Sequence, residues 1–128
     1  KTQLGEIPMQ EFIEQPELDF LSEYEGFVYS RFKTDTKQGQ LIHAALGVAG
    51  EAGELVDAIK KHTIYGKPLD LENVREEIGD TMFYLVAALN TLGITMESVL
   101  QQNMDKLTKR YPVKYSNEDA IARADKKV

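Results

Sequence analysis

The sequence predicts an all-α fold, most simply a helical bundle of four main helices and a short C-terminal helix. Apolar residues recur three and four positions apart in the predicted helices, which is the period of an amphipathic α-helix. No stretch alternates apolar and polar residues with the two-residue period of a strand. Capping residues, glycines and prolines stand between the periodic segments, where helices are expected to begin and end.

The first two predicted helices cover residues 19–33 and about 38–62. The second has broad apolar content rather than a narrow stripe, so we expect it to be buried on much of its circumference. Gly47, Gly50 and Gly53 lie inside it, and each costs about 1 kcal/mol relative to alanine in a helix interior. They indicate close helix packing or the close approach of a ligand.

The third and fourth helices are predicted chiefly from the capping residues at their ends. Asp19, Asp70 and Thr95 are the expected N-caps of the first, third and fourth helices, and Gly93 is expected to end the third. The fourth helix ends near Pro112, and a short last helix runs from Ser116 to Ala124. The apolar residues predicted to point inward from the fourth helix are Val99, Leu100, Met104 and Leu107.

The 128 residues fit one domain. Residues 1–18 contain two prolines and mostly polar side chains, which predicts a weakly structured N-terminal segment. The all-α domain is predicted to cover residues 19–124, and residues 125–128 are predicted to be a tail.

Composition excludes several classes of function. The net charge of −6 argues against a nucleic-acid polymer as partner. No apolar run approaches the roughly eighteen residues of a membrane span, and the chain has no cysteine, so a cytoplasmic location without a membrane partner is expected. An acidic protein that handles an acidic ligand needs cations between the two.

Two short acidic motifs carry the chemistry, Glu51-Ala-Gly-Glu54 and Glu77-Ile-Gly-Asp80. The two carboxylates of each motif are three residues apart, so they share one face of a helix. That face is otherwise apolar, where a carboxylate is costly unless it is paired or bound to a metal. We therefore predict that the motifs face each other and form a four-carboxylate site for Mg²⁺, with Mn²⁺ as a substitute.

Spacing alone does not distinguish these two motifs from other acidic residues that stand three positions apart. Glu11, Glu14 and Glu17 also stand three apart, but they lack apolar surroundings and are expected to lie in water. The prediction depends on the apolar surroundings of both motifs and on the cations downstream.

The fourth helix carries a complementary set, Asn103, Lys106 and Arg110, on one face. One amide and two cations suit phosphate oxygens, although a solvated basic helix end would show the same pattern. His43 and Tyr84 are candidates to line the same cavity, and each could equally be a structural residue. Lys61 is a further candidate for phosphate binding, or is simply exposed.

Three stretches together resemble the MazG-like branch of the all-α nucleoside triphosphate pyrophosphohydrolases. They run from Ala44 to Leu55, from Glu76 to Leu85 and from Asn103 to Pro112. The resemblance implies Mg²⁺-dependent hydrolysis of a nucleoside triphosphate to the monophosphate and pyrophosphate, in the control of nucleotide pools. It also implies a homodimer or homotetramer.

The same resemblance implies roles for most of the candidate residues. The metal is expected at Glu51, Glu54, Glu77 and Asp80, the triphosphate at Asn103, Lys106 and Arg110, and the sugar or base near Tyr84. His43 and Lys61 are further candidate substrate contacts from their positions in the sequence and not from the resemblance.

Two alternatives stay open. Phosphoribosyl-ATP pyrophosphohydrolase, an enzyme of histidine biosynthesis, is similar in fold and acidic motifs. A non-catalytic helical module would bind nucleotide or metal without turnover and serve in oligomerisation.

Overall fold

The computed structural model describes residues 19–123, so the predictions for residues 1–18 and 124–128 lie outside the described part of the chain. Five helices follow one another: α1 Phe20–Arg31, α2 Lys37–Thr63, α3 Leu71–Leu92, α4 Met96–Arg110 and α5 Asn117–Ala122. No strand occurs between residues 19 and 123. The predicted all-α fold, with four long helices and a short last one, is confirmed.

The helices belong to two compact units, which we describe separately. Gly93 ends the first unit, which contains α1, α2 and α3, and Ile94 begins the second, which contains α4 and α5. The assignment of residues 19–124 to one domain stays a prediction.

The helix ends follow the predicted capping residues. The Asp19 carboxylate accepts a hydrogen bond from the Leu21 N–H at 3.2 Å, and the Asp70 carboxylate accepts one from the Asn73 N–H at 3.1 Å. The Thr95 hydroxyl caps α4 in the same way. These side chains satisfy N–H groups that the first turn of a helix leaves without partners, which explains why the predicted starts are correct.

Helices α2 and α3 run antiparallel and pack along a narrow seam. The Gln40 side-chain amide donates to the Thr91 hydroxyl at 3.0 Å at one end of the seam. Gly47 lies against the Tyr84 ring further along it. Helix α1 packs on α3, where the Asn90 amide donates to the Glu25 carbonyl oxygen at 3.0 Å. The seam places the middle of α2 opposite the middle of α3.

The core of the described chain is small. Its buried hydrophobic side chains are Val28, Ala44, Ala58, Val86 and Ala87. The prediction that α2 is buried on much of its circumference is wrong for the single chain, since Leu46 is 65% exposed and Val56 is 64% exposed. Helix α2 packs on α3 along one side, and within the first unit no described residue buries the opposite side.

The predicted inward face of α4 is also wrong for the single chain. No residue of α4 is buried; Met104 is 57% exposed, Leu100 and Leu107 are exposed too, and Val99 is only half-buried. Among the described residues of the second unit, the other helix is α5, which has six residues. Such a short helix covers little apolar surface.

Among the described helices, none taken singly is long and apolar enough to cross a membrane. The consecutive helices α3 and α4 satisfy the length and composition requirement only when they are taken together.

Candidate metal centre

Three carboxylates from the two facing helices converge in the middle of the α2–α3 seam. Glu51 comes from α2, and Glu77 and Asp80 come from one face of α3. One oxygen from each lies within 4.8 Å of the oxygens from the other two. We call these three residues the acidic trio. The antiparallel packing brings together the two motifs, which are 26 positions apart in the sequence from Glu51 to Glu77.

The trio carries negative charge where solvent is partly excluded. Oε2 of the half-buried Glu51 is itself buried and has no hydrogen-bond partner in the described chain. Partial burial raises the pKa of Glu51 to about 7, and the hydrogen bond and charge of Glu54 and the charges of Asp80 and Glu77 act in the same direction. Burial, followed by the charges of Glu54 and Asp80, also raises the pKa of Glu77. In both residues burial is the largest cause, and the neighbouring carboxylates add to it because they disfavour the ionised form.

Glu54 lies at the exposed edge of the trio and is not a member of it. It adjoins the trio beside Glu51, and its interaction with Glu51 is among the causes that raise the pKa of Glu51. The structure therefore brings three of the four predicted carboxylates into one group and leaves Glu54 beside it.

The trio fits a hard divalent cation. Its donors are carboxylate oxygens without a nitrogen or sulfur ligand, and such donors suit Mg²⁺, Ca²⁺ and Mn²⁺. Between residues 19 and 123 the buried Glu51 oxygen has no hydrogen-bond partner, and a cation would supply that missing interaction.

Tyr24 of α1 also lies near the trio, and sequence analysis assigned it no role in the site. Burial and then the charge of Asp80 raise the pKa of the Tyr24 phenol. In the sequence Tyr24 is one more aromatic residue of an amphipathic helix. Its approach to Asp80 depends on how α1 packs on α3, for which the sequence carries no local signal.

An aromatic cluster adjoins the trio through Tyr84, which follows Asp80 by one helical turn. We define it as Phe32, His43, Phe83 and Tyr84. The His43 ring stacks on Phe32 with centroids 4.6 Å apart and lies 5.9 Å from the Tyr84 ring. The predicted pair of His43 and Tyr84 is thus brought together, and Phe32 joins it from the end of α1.

Lys61 lies away from the trio. It follows Glu51 by ten positions on α2, which corresponds to about 15 Å along a helix. Its ammonium pairs with the Asp57 carboxylate at 3.1 Å, with both side chains largely exposed. This ion pair explains the position of the Lys61 side chain without a bound ligand.

The predicted phosphate-binding residues of α4 belong to the second unit. Asn103 and Lys106 are exposed, and Arg110 is half-buried with its guanidinium 6.0 Å from the centre of the Tyr111 ring. The three residues fall on one face of α4, because they are three and four positions apart within a continuous helix.

Two comparisons with known proteins found similar sequences. The model of the MazG nucleotide pyrophosphohydrolase domain family matches residues 41–114, which is more than half of the chain. The Gene 37 protein of Mycobacterium phage L5 is 33% identical over 75 residues, covering 55% of this chain. The matched part is 65% of the phage protein, slightly less than two thirds of its length. No solved structure shows a significant match. The family match confirms the resemblance that the motifs predict.

Proposed function

This chain belongs to the MazG nucleotide pyrophosphohydrolase domain family, and from that premise we propose that it hydrolyses a nucleoside triphosphate to the monophosphate and pyrophosphate. The substrate is a deoxy or non-standard nucleotide, and the role is nucleotide-pool housekeeping in the cytoplasm. The observation that supports this most is the acidic trio, with oxygens within 4.8 Å of one another and one buried oxygen that no described residue satisfies.

In this proposal Glu51, Glu77 and Asp80 would hold Mg²⁺, for which Mn²⁺ can substitute. Glu54, the fourth predicted ligand, lies at their exposed edge and takes a different role. The ion, when bound, neutralises charge on the phosphates and lowers the pKa of a water. The protein contributes a fixed set of carboxylates on two packed helices, which need little rearrangement to bind the ion.

Glu54 is the residue that we assign to proton transfer. The trio is committed to the cation, whereas Glu54 is exposed at its edge and adjoins it through Glu51. Water attacks the α-phosphorus, its proton passes to the Glu54 carboxylate, and the bond from that phosphorus to the pyrophosphate oxygen breaks. General-base assistance of this kind contributes about 10²- to 10⁴-fold in rate.

The remaining candidate residues bind the substrate. Asn103, Lys106 and Arg110 are assigned to the phosphates, because one amide and two cations complement anionic oxygens. His43 and Tyr84 are assigned to the nucleoside, and the stack of His43 on Phe32 supports an aromatic contact there. Lys61 is also assigned to the phosphates, and its ammonium pairs with Asp57.

We propose a homodimer or homotetramer for the assembly. Ile42, Leu46 and Val56 are exposed on α2, and Met82 and Leu85 are exposed on α3. On a helical wheel of about 100° per residue, the α2 residues lie opposite Gly47 and Glu51, and therefore away from α3. A second copy that covered this face would enlarge the core, which has five small buried side chains in the described part of the chain.

The direct test incubates the wild-type protein with a panel of triphosphates and Mg²⁺, and identifies the products by chromatography. The proposal predicts a monophosphate and pyrophosphate, and no product after chelation of the metal. Orthophosphate and a diphosphate would refute the chemistry. The panel includes phosphoribosyl-ATP, and turnover of that compound alone would identify the histidine-biosynthesis enzyme instead. Nucleotide binding without product from any substrate would indicate the non-catalytic module.

A further inference from the structure

Of the three glycines in the middle of α2, Gly47 is the one whose missing side chain is needed by a neighbour. A Cβ atom at position 47 would overlap Cγ, Cδ1 and Cε1 of the Tyr84 ring. A Cβ atom at Gly50 or at Gly53 would meet nothing within 4 Å. Close packing within the chain therefore explains Gly47 and leaves the other two unexplained.

The Tyr84 ring rests on Gly47 at the boundary between two chemically different surfaces. Gly47 precedes Glu51 by one turn of α2, and Tyr84 follows Asp80 by one turn of α3. The carboxylates of the acidic trio therefore lie on one side of the ring. On the other side are His43, with its ring centre 5.9 Å away, and Phe32, at 6.4 Å.

We infer that Gly47 is a positioning residue of the proposed active site, because it lets the Tyr84 ring lie flat on α2 between the acidic trio and the aromatic cluster. A tyrosine in a helix has few allowed rotamers. A methyl group at position 47 would force the ring out of its place or push α2 and α3 apart. The ring position then limits how near the nucleoside can lie to phosphates held at the trio.

This inference rests on the proposed function, since it assigns Tyr84 to the nucleoside. It adds a determinant of specificity that lies outside both acidic motifs. Substitution of Gly47 should therefore impair recognition of the nucleoside and leave the metal ligands in place.

The test compares Gly47→Ala with Gly50→Ala, a matched change one turn along the same helix with open space around it. For the best substrate of the panel, we expect Gly47→Ala to lower kcat/KM by on the order of 10- to 100-fold, mainly through KM. The Mn²⁺ affinity of Gly47→Ala, measured by calorimetry, should stay within about twofold of the wild-type affinity. Gly50→Ala should retain wild-type kinetics.

A double-mutant cycle identifies the cause of the effect. Tyr84→Ala removes the ring, so Gly47→Ala should cause no further loss of kcat/KM or thermal stability in that background. Tyr84→Phe keeps the ring, so Gly47→Ala should remain harmful beside it. If Gly47→Ala alone does not fold, the double variant with Tyr84→Ala should fold.

Three results would overturn the inference. They are wild-type kinetics for Gly47→Ala, an equal loss in the Tyr84→Ala background, and failure of the double variant to fold. A wild-type protein that hydrolyses no triphosphate overturns the proposed function itself. A wild-type protein that does so, beside a Gly47→Ala variant that behaves like Gly50→Ala, overturns only the role of Gly47.

Discussion

At the scale of single residues, Glu51 faces two carboxylates of α3, and one of its oxygens is buried beyond the reach of any described donor. Charged groups in such surroundings destabilise a folded chain unless a proton or a cation compensates them. The same arrangement suits a hard divalent ion. The residues that make the metal-free chain less stable are thus the ones from which catalysis is expected.

Removing a trio carboxylate should abolish turnover without unfolding the chain. We expect Asp80→Asn to lower the rate of pyrophosphate release by at least about 100-fold, because an amide binds the cation far more weakly than a carboxylate does. Helix content measured by circular dichroism should not change. The matched control is Glu76→Gln on α3, outside the trio, and it should retain activity. Equal losses in the two variants would contradict the assignment.

The raised pKa of Glu51 predicts the sign of a pH effect on the metal-free protein. Glu51 titrates near its ordinary value of 4.5 when unfolded and near 7 when folded. Between these values the folded state holds more protons, so stability falls as pH rises through that window. The thermal midpoint should decrease over this range in a chelator.

Two further measurements check that Glu51 causes this pH effect. Glu51→Gln, which cannot ionise at position 51, should make the dependence shallower, with a remainder of the same sign from Glu77, whose pKa is also raised. Mg²⁺ should oppose the dependence because the ion binds the deprotonated form. A Glu51→Gln variant with the wild-type slope would contradict the assignment to Glu51.

The acidic residues of the site could be predicted, whereas part of its aromatic surroundings could not. Glu51 and Asp80 have a local signal, a carboxylate at helical spacing on an apolar face. Tyr24 belongs to α1 and Phe32 directly follows its end, and each resembles any core aromatic residue. Their proximity to the trio and to His43 depends on tertiary packing between distant segments, which no local pattern records.

At the scale of elements, the helix ends were predictable because their causes are local. Asp70 and Thr95 are each followed three residues later by the N–H that they cap. Gly93 has φ of 72°, in the left-handed region that costs other residues energy. Burial was less predictable, because the apolar pattern of α2 indicates which residues avoid water and not whether the covering surface belongs to the same chain.

Gly93 and Gly79 offer a matched test of this account of helix ends. Gly93→Ala should lower the free energy of unfolding by about 1–2 kcal/mol, because alanine is strained at a positive φ. Gly79 lies inside α3 with open space around it, so Gly79→Ala should raise that free energy by about 0.5–1 kcal/mol. Urea denaturation followed by circular dichroism measures both changes, and effects of the same sign would contradict the explanation.

At the scale of the whole molecule, the described chain buries five hydrophobic side chains, four of them alanine or valine on α2 and α3. Larger apolar residues such as Leu46, Met82 and Leu85 remain exposed. Apolar surface of this kind on a folded chain usually marks an interaction surface. The all-α class could be predicted from periodicity, but the division of apolar residues between core and interface could not, because both follow the same period.

The proposed assembly can be tested by light scattering after size exclusion. The wild-type mass should be two or four times the chain mass of 14.5 kDa. Leu46→Glu should shift it toward a single chain, because a charge would be buried in the interface. Val113→Glu is the control, since Val113 is 98% exposed in the second unit. A wild-type mass of one chain would contradict the proposed oligomer.

The central claim is that Glu51, Glu77 and Asp80 together bind one kind of ligand, a divalent cation. Calorimetric titration of the metal-free protein with Mn²⁺ tests it most directly, in wild type, Glu77→Gln, Asp80→Asn and the control Glu76→Gln. We predict saturable binding in the wild type and in the control, and an affinity at least about tenfold lower in each trio variant. Equal affinity in all four proteins, or no binding in the wild type, would contradict the claim.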